Sequence, residues 1–144
     1  MTRRFASFSL LLALTLLLHL PAAAQAAPAE QTKAMRAVIE SQLAAFAADD
    51  AARAFSYAAP AIRHMFGTPD RFMAMVRTGY PVVYRPATVT FLAPQLLDGQ
   101  WIQGVHMTDA SGVLWLAVYR LERQADQSWR ISGCEVRPAS GKIT

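Results

Sequence analysis

The chain has 144 residues, 53% of them hydrophobic, with 14 Lys and Arg against 10 Asp and Glu and a single Cys. This length suits one domain, and the hydrophobic fraction excludes an intrinsically disordered chain. A single Cys excludes a disulfide framework and a thiolate zinc cluster. The basic residues are spread along the chain and form no cluster, so we expect no nucleic acid as a partner.

Residues 1–26 have the pattern of a secretory signal peptide. Two arginines precede an apolar run over residues 8–20, and small residues follow it. We predict cleavage after Ala26, with cleavage after Ala24 as the alternative. The apolar run is shorter than the ~20 residues of a spanning helix. We therefore expect a periplasmic or secreted chain with no membrane association beyond this peptide.

The first half of the mature chain is predicted to be helical. Residues 27–30 form a short leader, and a single domain is expected over residues 31–140. From Gln31, apolar residues recur at steps of three and four, which indicates an amphipathic helix. Its inward face is predicted to carry Met35, Val38, Ile39, Gln42, Leu43 and Phe46.

Three shorter helices are expected next. Asp49 or Asp50 is predicted to cap the second helix by accepting a backbone N–H. Pro60 suits the first turn of the third helix, which ends at Gly67. The run Thr68-Pro69-Asp70 combines an N-cap, a first-turn proline and an early acid, and it predicts the start of a fourth helix.

Beyond these helices the apolar period changes from 3.6 to 2, which predicts strands. Asp98-Gly99 is typical of a tight hairpin turn. We expect four antiparallel strands in a meander, at residues 88–91, 101–108, 113–123 and 129–136. Helices followed by strands indicate an α+β fold, with the helices packed against a curved antiparallel sheet.

Strict alternation also assigns side chains to the faces of this sheet. Trp115 and Tyr119 share one face of the third strand, whereas Cys134 and Ile131 are expected on opposite faces of the last. A lone Cys in an oxidising compartment is expected to be buried and inert. An intermolecular disulfide is the alternative.

Several short motifs accompany this order of elements. They are Phe46-Ala47-Ala48-Asp49-Asp50, Phe55, Pro60, Phe72, and the hairpin of Tyr119-Arg120-Leu121 with Trp129-Arg130-Ile131. From Gln31 to Arg137 the chain thus resembles the nuclear transport factor two-like superfamily, which includes ketosteroid isomerases and polyketide cyclases. Three further motifs resemble a small exported bacterial family known as a domain of unknown function: Pro60-Ala61-Ile62, Phe72-Met73-Ala74-Met75-Val76 and Gly133-Cys134.

The resemblance implies a cone, in which a bent sheet wraps against a long helix and leaves an apolar pocket open at one end. Some relatives catalyse in that pocket, others only bind a ligand there, and many dimerise through the outer face of the sheet. The fold alone does not choose among these functions.

Candidates for acid–base chemistry are few. Enolisation in the isomerase relatives needs a carboxylate base opposite a hydrogen-bond donor such as a Tyr hydroxyl. His106, Asp50 and Tyr84 are the groups to test. Each also has a structural explanation: His106 is a strand residue, Asp50 is a helix cap and Tyr84 is a packing residue. The sequence pattern brings no base and donor together, so it favours a chain that is not an enzyme.

Candidates for ligand binding are mainly aromatic. Tyr80, Tyr84 and Arg85 lie where the helices join the sheet, at the expected mouth of the cone, and Arg85 would meet an acidic ligand there. Trp115 and Tyr119 share a strand face and offer large apolar surfaces with one polar group each. Core or dimer packing is the alternative role for both.

No metal site and no cofactor are expected, because His64 and His106 lack further ligands at a suitable spacing. The sequence predicts an exported, non-catalytic module that binds a small apolar or amphipathic ligand in the cone, or a protein partner on the outer sheet face. An isomerase- or cyclase-type enzyme and a structural homodimer are the alternatives.

Overall fold

The computed structural model describes residues 27–139, so the predicted signal peptide lies outside the described residues. Within them, five helices precede five strands. The helices are α1 (Ala29–Ala47), α2 (Ala51–Ser56), α3 (Pro60–Phe66), α4 (Pro69–Gly79) and α5 (Pro81–Tyr84). The strands are β1 (Thr88–Phe91), β2 (Gln95–Leu97), β3 (Gln100–Thr108), β4 (Leu114–Arg123) and β5 (Trp129–Pro138). The predicted α+β class, with helices before a curved antiparallel sheet, is confirmed.

Local sequence signals set most helix boundaries. Thr68 accepts a hydrogen bond from the Arg71 N–H at 3.3 Å, so it is the N-cap of α4 as predicted. Gly67 ends α3 with a φ of 75°, a backbone conformation that favours glycine. α1 begins at Ala29, earlier than the predicted Gln31, because the Thr32 N–H already bonds to the Pro28 carbonyl. None of the helices between residues 27 and 139 has both the length and the apolar character needed to cross a bilayer.

The sheet has the strand order β1-β3-β4-β5, and β2 also pairs with β3. β2 was not predicted as a separate strand. Pro94 lies between β1 and β2 and has no N–H to donate, so these two short segments pair with β3 separately. Asp98 and Gly99 form the predicted turn into β3, both with positive φ.

The helices cover one face of the sheet, which we call the inner face. Alternate residues of β3 and β4 point into this core, among them Val105, Met107, Ala117, Tyr119 and Leu121, all nearly inaccessible to solvent. Burial of each large apolar side chain contributes about 1.5–3 kcal/mol. Residues between them, such as Leu116 and Val118, lie on the outer face and remain partly exposed.

Four phenylalanines pack together between the helices. The ring of Phe72 lies 6.0 Å from that of Phe46, 5.4 Å from that of Phe55 and 5.7 Å from that of Phe66, centroid to centroid. Phe72 therefore joins the first four helices into one apolar cluster.

A β-bulge interrupts the pairing of β4 with β5. Arg120 pairs with Gly133, but the next residue, Leu121, pairs with Ile131, so Ser132 is the extra residue on β5. The bulge shifts the alternation of the strand by one position.

This shift changes the position of Cys134. Cys134 pairs with Tyr119 and so lies on the inner face, the same face as Ile131. The prediction that Cys134 and Ile131 lie on opposite faces was therefore wrong, because strict alternation takes no account of an inserted residue.

Candidate functional site

A cavity opens at the edge of β5. The segment between α2 and α3 bonds to this edge at Ile131, through Ala59 N–H to Ile131 O at 2.8 Å and Ile131 N–H to Tyr57 O at 2.9 Å. Beyond that point no other strand of residues 27–139 pairs with the outer edge of β5. The space between this edge, α3 and α4 is a cavity of about 260 Å³. A dry apolar cavity of about 150 Å³ already takes up benzene.

Most of the wall is apolar. Helices α3 and α4 contribute Ile62, Met65, Phe66, Phe72, Met75 and Val76. Met65 is 74% exposed and stands at the mouth of the cavity. A flexible, polarisable thioether in this position adapts its shape to an apolar ligand.

Tyr119 lines the cavity and carries an unsatisfied hydroxyl. The residue is only 1% exposed, and its hydroxyl has no hydrogen-bond partner among the described residues. Cys134 lies opposite it on β5, but the two side chains do not meet in hydrogen-bond geometry. Burial, followed by the neighbouring Cys134, raises the pKa of Tyr119 well above its ordinary value. The hydroxyl therefore stays protonated and can donate a hydrogen bond.

Gln42 of α1 is the second buried polar residue on the wall, at 4% exposure. Its Nε2 donates to the Ala54 carbonyl at 3.1 Å. A carbonyl only accepts, so this bond fixes the orientation of the amide. No residue of the described chain donates a hydrogen bond to Gln42 Oε1, which is left as an acceptor.

Cys134 adds a neutral thiol to the same wall. Burial raises the pKa of Cys134 to about 12, although Tyr119 and Arg120 act in the opposite direction. A thiol with this pKa is almost entirely protonated at neutral pH and is a weak nucleophile.

Arg120 reaches the rim of the cavity across Gly133. A Cβ at Gly133 would lie 2.8 Å from Arg120 Nε, so only glycine leaves room for the guanidinium there. The guanidinium also pairs with the Glu135 carboxylate at 3.3 Å, and both side chains are solvent-exposed. The charge at the rim is therefore already partnered and hydrated.

A second cavity of about 470 Å³ lies on the other side of α5 and is lined by Tyr80, Arg85, Trp115 and Asp109, among others. Its charged groups and Trp115 are already bonded. Asp109 accepts hydrogen bonds from two backbone N–H groups of the following turn and from Trp115 Nε1 at 2.9 Å. The Trp115 bond, followed by the Val113 N–H, lowers the pKa of Asp109. This larger cavity thus presents no unsatisfied buried group within residues 27–139.

Arg85 belongs to an exposed cluster centred on Asp49. The Asp49 carboxylate accepts hydrogen bonds from the Tyr84 hydroxyl, from Arg77 at 3.0 Å and from Arg85 at 3.1 Å. The Tyr84 bond, followed by the Arg77 bond, lowers the pKa of Asp49. The cluster joins the end of α1 to α4 and α5, which is a structural role.

Residues 28–144 match the family model described as a domain of unknown function, DUF4864. The chain belongs to this family. No curated protein and no solved structure matches the chain. Membership is consistent with the predicted resemblance to a family known as a domain of unknown function, whereas the wider resemblance to the nuclear transport factor two-like superfamily stays a prediction.

The structure separates the predicted ligand-binding residues of this family member. Tyr119 lines the first cavity, Arg85 and Trp115 line the second, and Tyr80 borders both. Tyr84 lines neither, since its hydroxyl is bound to Asp49.

The three groups proposed for catalysis lie apart from the first cavity. His106 lies on the outer face, between Thr90 and Leu116 of the neighbouring strands. Asp50 is the N-cap of α2 and accepts the Arg53 N–H at 3.1 Å. Tyr84 belongs to the Asp49 cluster. No three His, Cys, Asp or Glu residues within the described part of the chain are grouped as metal ligands.

Two cavity residues were missed as functional candidates. Gln42 carried a detectable signal, because it is a polar residue on the otherwise apolar face of α1. Cys134 reaches the cavity through the bulge at Ser132, which no sequence pattern indicated.

Proposed function

We propose that this chain is a non-catalytic module that binds one small apolar or amphipathic molecule in the cavity beside β5. The observation that carries the proposal is the buried, unpartnered hydroxyl of Tyr119 on an apolar cavity wall. A buried hydroxyl without a hydrogen bond costs about 1–3 kcal/mol. A ligand that supplies the missing partner would recover this cost in addition to burying its own apolar surface.

The composition of the wall supports binding over proton transfer. No Asp, Glu or His of residues 27–139 lines this cavity. General acid–base catalysis requires a group whose pKa lies near the working pH. The raised pKa values of Tyr119 and Cys134 move both groups away from that range.

Ethylbenzene is a suitable probe, since it combines an aromatic ring with a short apolar chain. Binding to the native state raises the midpoint of thermal unfolding. We expect ethylbenzene to raise the midpoint of the wild-type chain and not that of Val76→Phe, whose larger side chain fills the cavity. The matched control is Val113→Phe, at a position that is 47% exposed and outside the cavity. Equal shifts in all three proteins would contradict the proposal.

A second candidate function is self-association through the outer sheet face. The helices cover only the inner face, and the outer face exposes Leu92 to 40% together with the partly exposed Leu116 and Val118. A contiguous apolar patch of this kind is typical of interaction surfaces. We expect a dimer in analytical ultracentrifugation and a monomer for Val118→Lys. A wild-type monomer at every concentration would rule this function out.

Export and superfamily membership form part of the same proposal. The arginine pair, apolar run and small residues of residues 1–26 support an exported chain. An N-terminus at Ala27 or Gln25 in the exported protein would support this, and a retained Met1 would contradict it. The order of helices before a curved sheet supports membership of the nuclear transport factor two-like superfamily.

A further inference from the structure

Two of the polar side chains on the wall of the cavity beside β5 are almost completely buried and offer complementary hydrogen-bonding groups. Tyr119 carries a buried O–H with no partner, and Gln42 carries an Oε1 that accepts no hydrogen bond from the described chain. A hydroxyl has one donor and two acceptor sites, so it can accept from the first and donate to the second.

We propose that the cavity selects apolar molecules whose polar end is a neutral hydroxyl, held between Tyr119 and Gln42. This inference rests on the proposed binding function and specifies its ligand class. The apolar part of the ligand lies against the side chains of α3 and α4, and Met65 covers the outer end.

A charged end fits this site less well. An ionised carboxylate has no proton to donate to Gln42 Oε1, and an ammonium has no lone pair to accept the Tyr119 proton. Transfer of either charge into an apolar site carries a large desolvation penalty. The one formal charge among the lining residues is that of Arg120, which lies at the hydrated rim and already pairs with Glu135.

Three probes share a phenyl ring and a two-carbon chain and differ in their polar end: ethylbenzene, 2-phenylethanol and phenylacetate. They distinguish an apolar end, a neutral hydroxyl and a charged carboxylate. Their dissociation constants are measured on the full chain by calorimetric titration at pH 7. We expect 2-phenylethanol to bind about tenfold more tightly than ethylbenzene, the gain of about 1.4 kcal/mol that hydrogen bonds to a buried hydroxyl provide. Phenylacetate is expected to bind most weakly.

Tyr119→Phe removes the hydroxyl and keeps the ring on the cavity wall. We expect this variant to bind 2-phenylethanol no better than ethylbenzene, with its ethylbenzene affinity unchanged. Tyr57→Phe, outside the cavity, is the matched control and should retain the preference of the wild-type chain. If Tyr119→Phe does not fold, Gln42→Met provides the same test from the acceptor side.

The outcomes test the preference for a hydroxyl separately from the proposed binding function. Equal binding of ethylbenzene and 2-phenylethanol, or an unchanged preference in Tyr119→Phe, would overturn the hydroxyl-binding role and leave the binding function standing. Tightest binding of phenylacetate would also overturn it, and Arg120→Ala would then show whether the rim guanidinium holds the carboxylate. Failure of all three probes to bind would overturn both.

Discussion

Asp49 accepts a hydrogen bond from the Tyr84 hydroxyl and thereby ties the end of α1 to the end of α5. Asp49 has a φ of 54°, a left-handed conformation in which glycine is usual after a helix. The turn has the two hydrogen bonds of a Schellman motif, from Asp49 N–H to Phe46 O at 3.0 Å and from Asp50 N–H to Ala45 O at 2.9 Å. An aspartate is tolerated here because its carboxylate then reaches Tyr84, Arg77 and Arg85.

We expect Asp49→Asn to be less stable than the wild-type chain at pH 7, with a deficit that shrinks in acid. The Tyr84 and Arg77 bonds hold the pKa of folded Asp49 below its ordinary value of 3.8. A carboxyl group with a lowered folded pKa contributes stability fully above its unfolded pKa, and this is lost as the pH falls through the folded value.

Urea unfolding at pH 7, 5 and 2.5 measures this difference. The deficit of Asp49→Asn should be the same at pH 7 and 5 and should shrink at pH 2.5. Asp98→Asn, in the exposed turn between β2 and β3, is the control and should match the wild-type chain at each pH. A deficit that persists unchanged at pH 2.5 would show that the ionised carboxylate is not what stabilises this junction.

Phe72→Ala is expected to destabilise the chain by about 3–5 kcal/mol, the usual cost of removing a large buried aromatic side chain. Phe72 contacts three other phenylalanine rings and is buried. Chemical denaturation measures the loss, and the exposed Met65→Ala should change the free energy of unfolding by less than about 0.5 kcal/mol. A small effect of Phe72→Ala would mean that the four rings do not hold the helices together.

Gly133→Ala should cost stability only while Arg120 is present. The new methyl group would lie 2.8 Å from Arg120 Nε, so the guanidinium must move and its pairing with Glu135 is disturbed. Because the displaced group is the end of a flexible side chain, we expect a loss of about 0.5–1 kcal/mol. In an Arg120→Ala background the loss should disappear. Equal losses in both backgrounds would place the strain in the backbone of the bulge.

Cys134 should react slowly with iodoacetamide in the folded chain. At pH 8 a thiol with a pKa of about 12 is ionised in about one molecule in ten thousand, and the thiolate is the reactive form. We expect labelling at least about a hundredfold faster once the chain is unfolded in urea. Equally rapid labelling of the folded chain would contradict the raised pKa of this thiol.

Local signals predicted the helices and strands whose ends are marked by a capping residue, a glycine or a tight turn. Thr68, Gly67 and the Asp98-Gly99 turn lie where the sequence placed them, since each depends only on neighbouring residues. The turn between β4 and β5 contains Gln127, a non-glycine residue with a φ of 72°. The short helix α5 and the strand β2 were missed, because four and three residues are too few to show a clear apolar period, although β2 pairs with the adjacent start of β3.

The candidate site was less predictable, because its residues come together from separate segments of the chain. The position of Tyr119 on an inward face followed from alternation along β4. Cys134 joins it only through the bulge at Ser132, and Gln42 comes from a helix far away in sequence. Tyr80, Arg85 and Trp115 do line one cavity. In it, however, Arg85 is already bonded to Asp49 and Trp115 to Asp109.

Native mass spectrometry of the chain, purified from the cells that produce it, shows whether the cavity beside β5 holds a ligand. We expect a mass above that of the polypeptide, which returns to the polypeptide mass on unfolding. The added mass should be absent from Val76→Phe. The released molecule should be small and apolar with a neutral hydroxyl. A chain that carries no added mass, and that also takes up none of the three phenyl probes, would contradict a ligand-binding function.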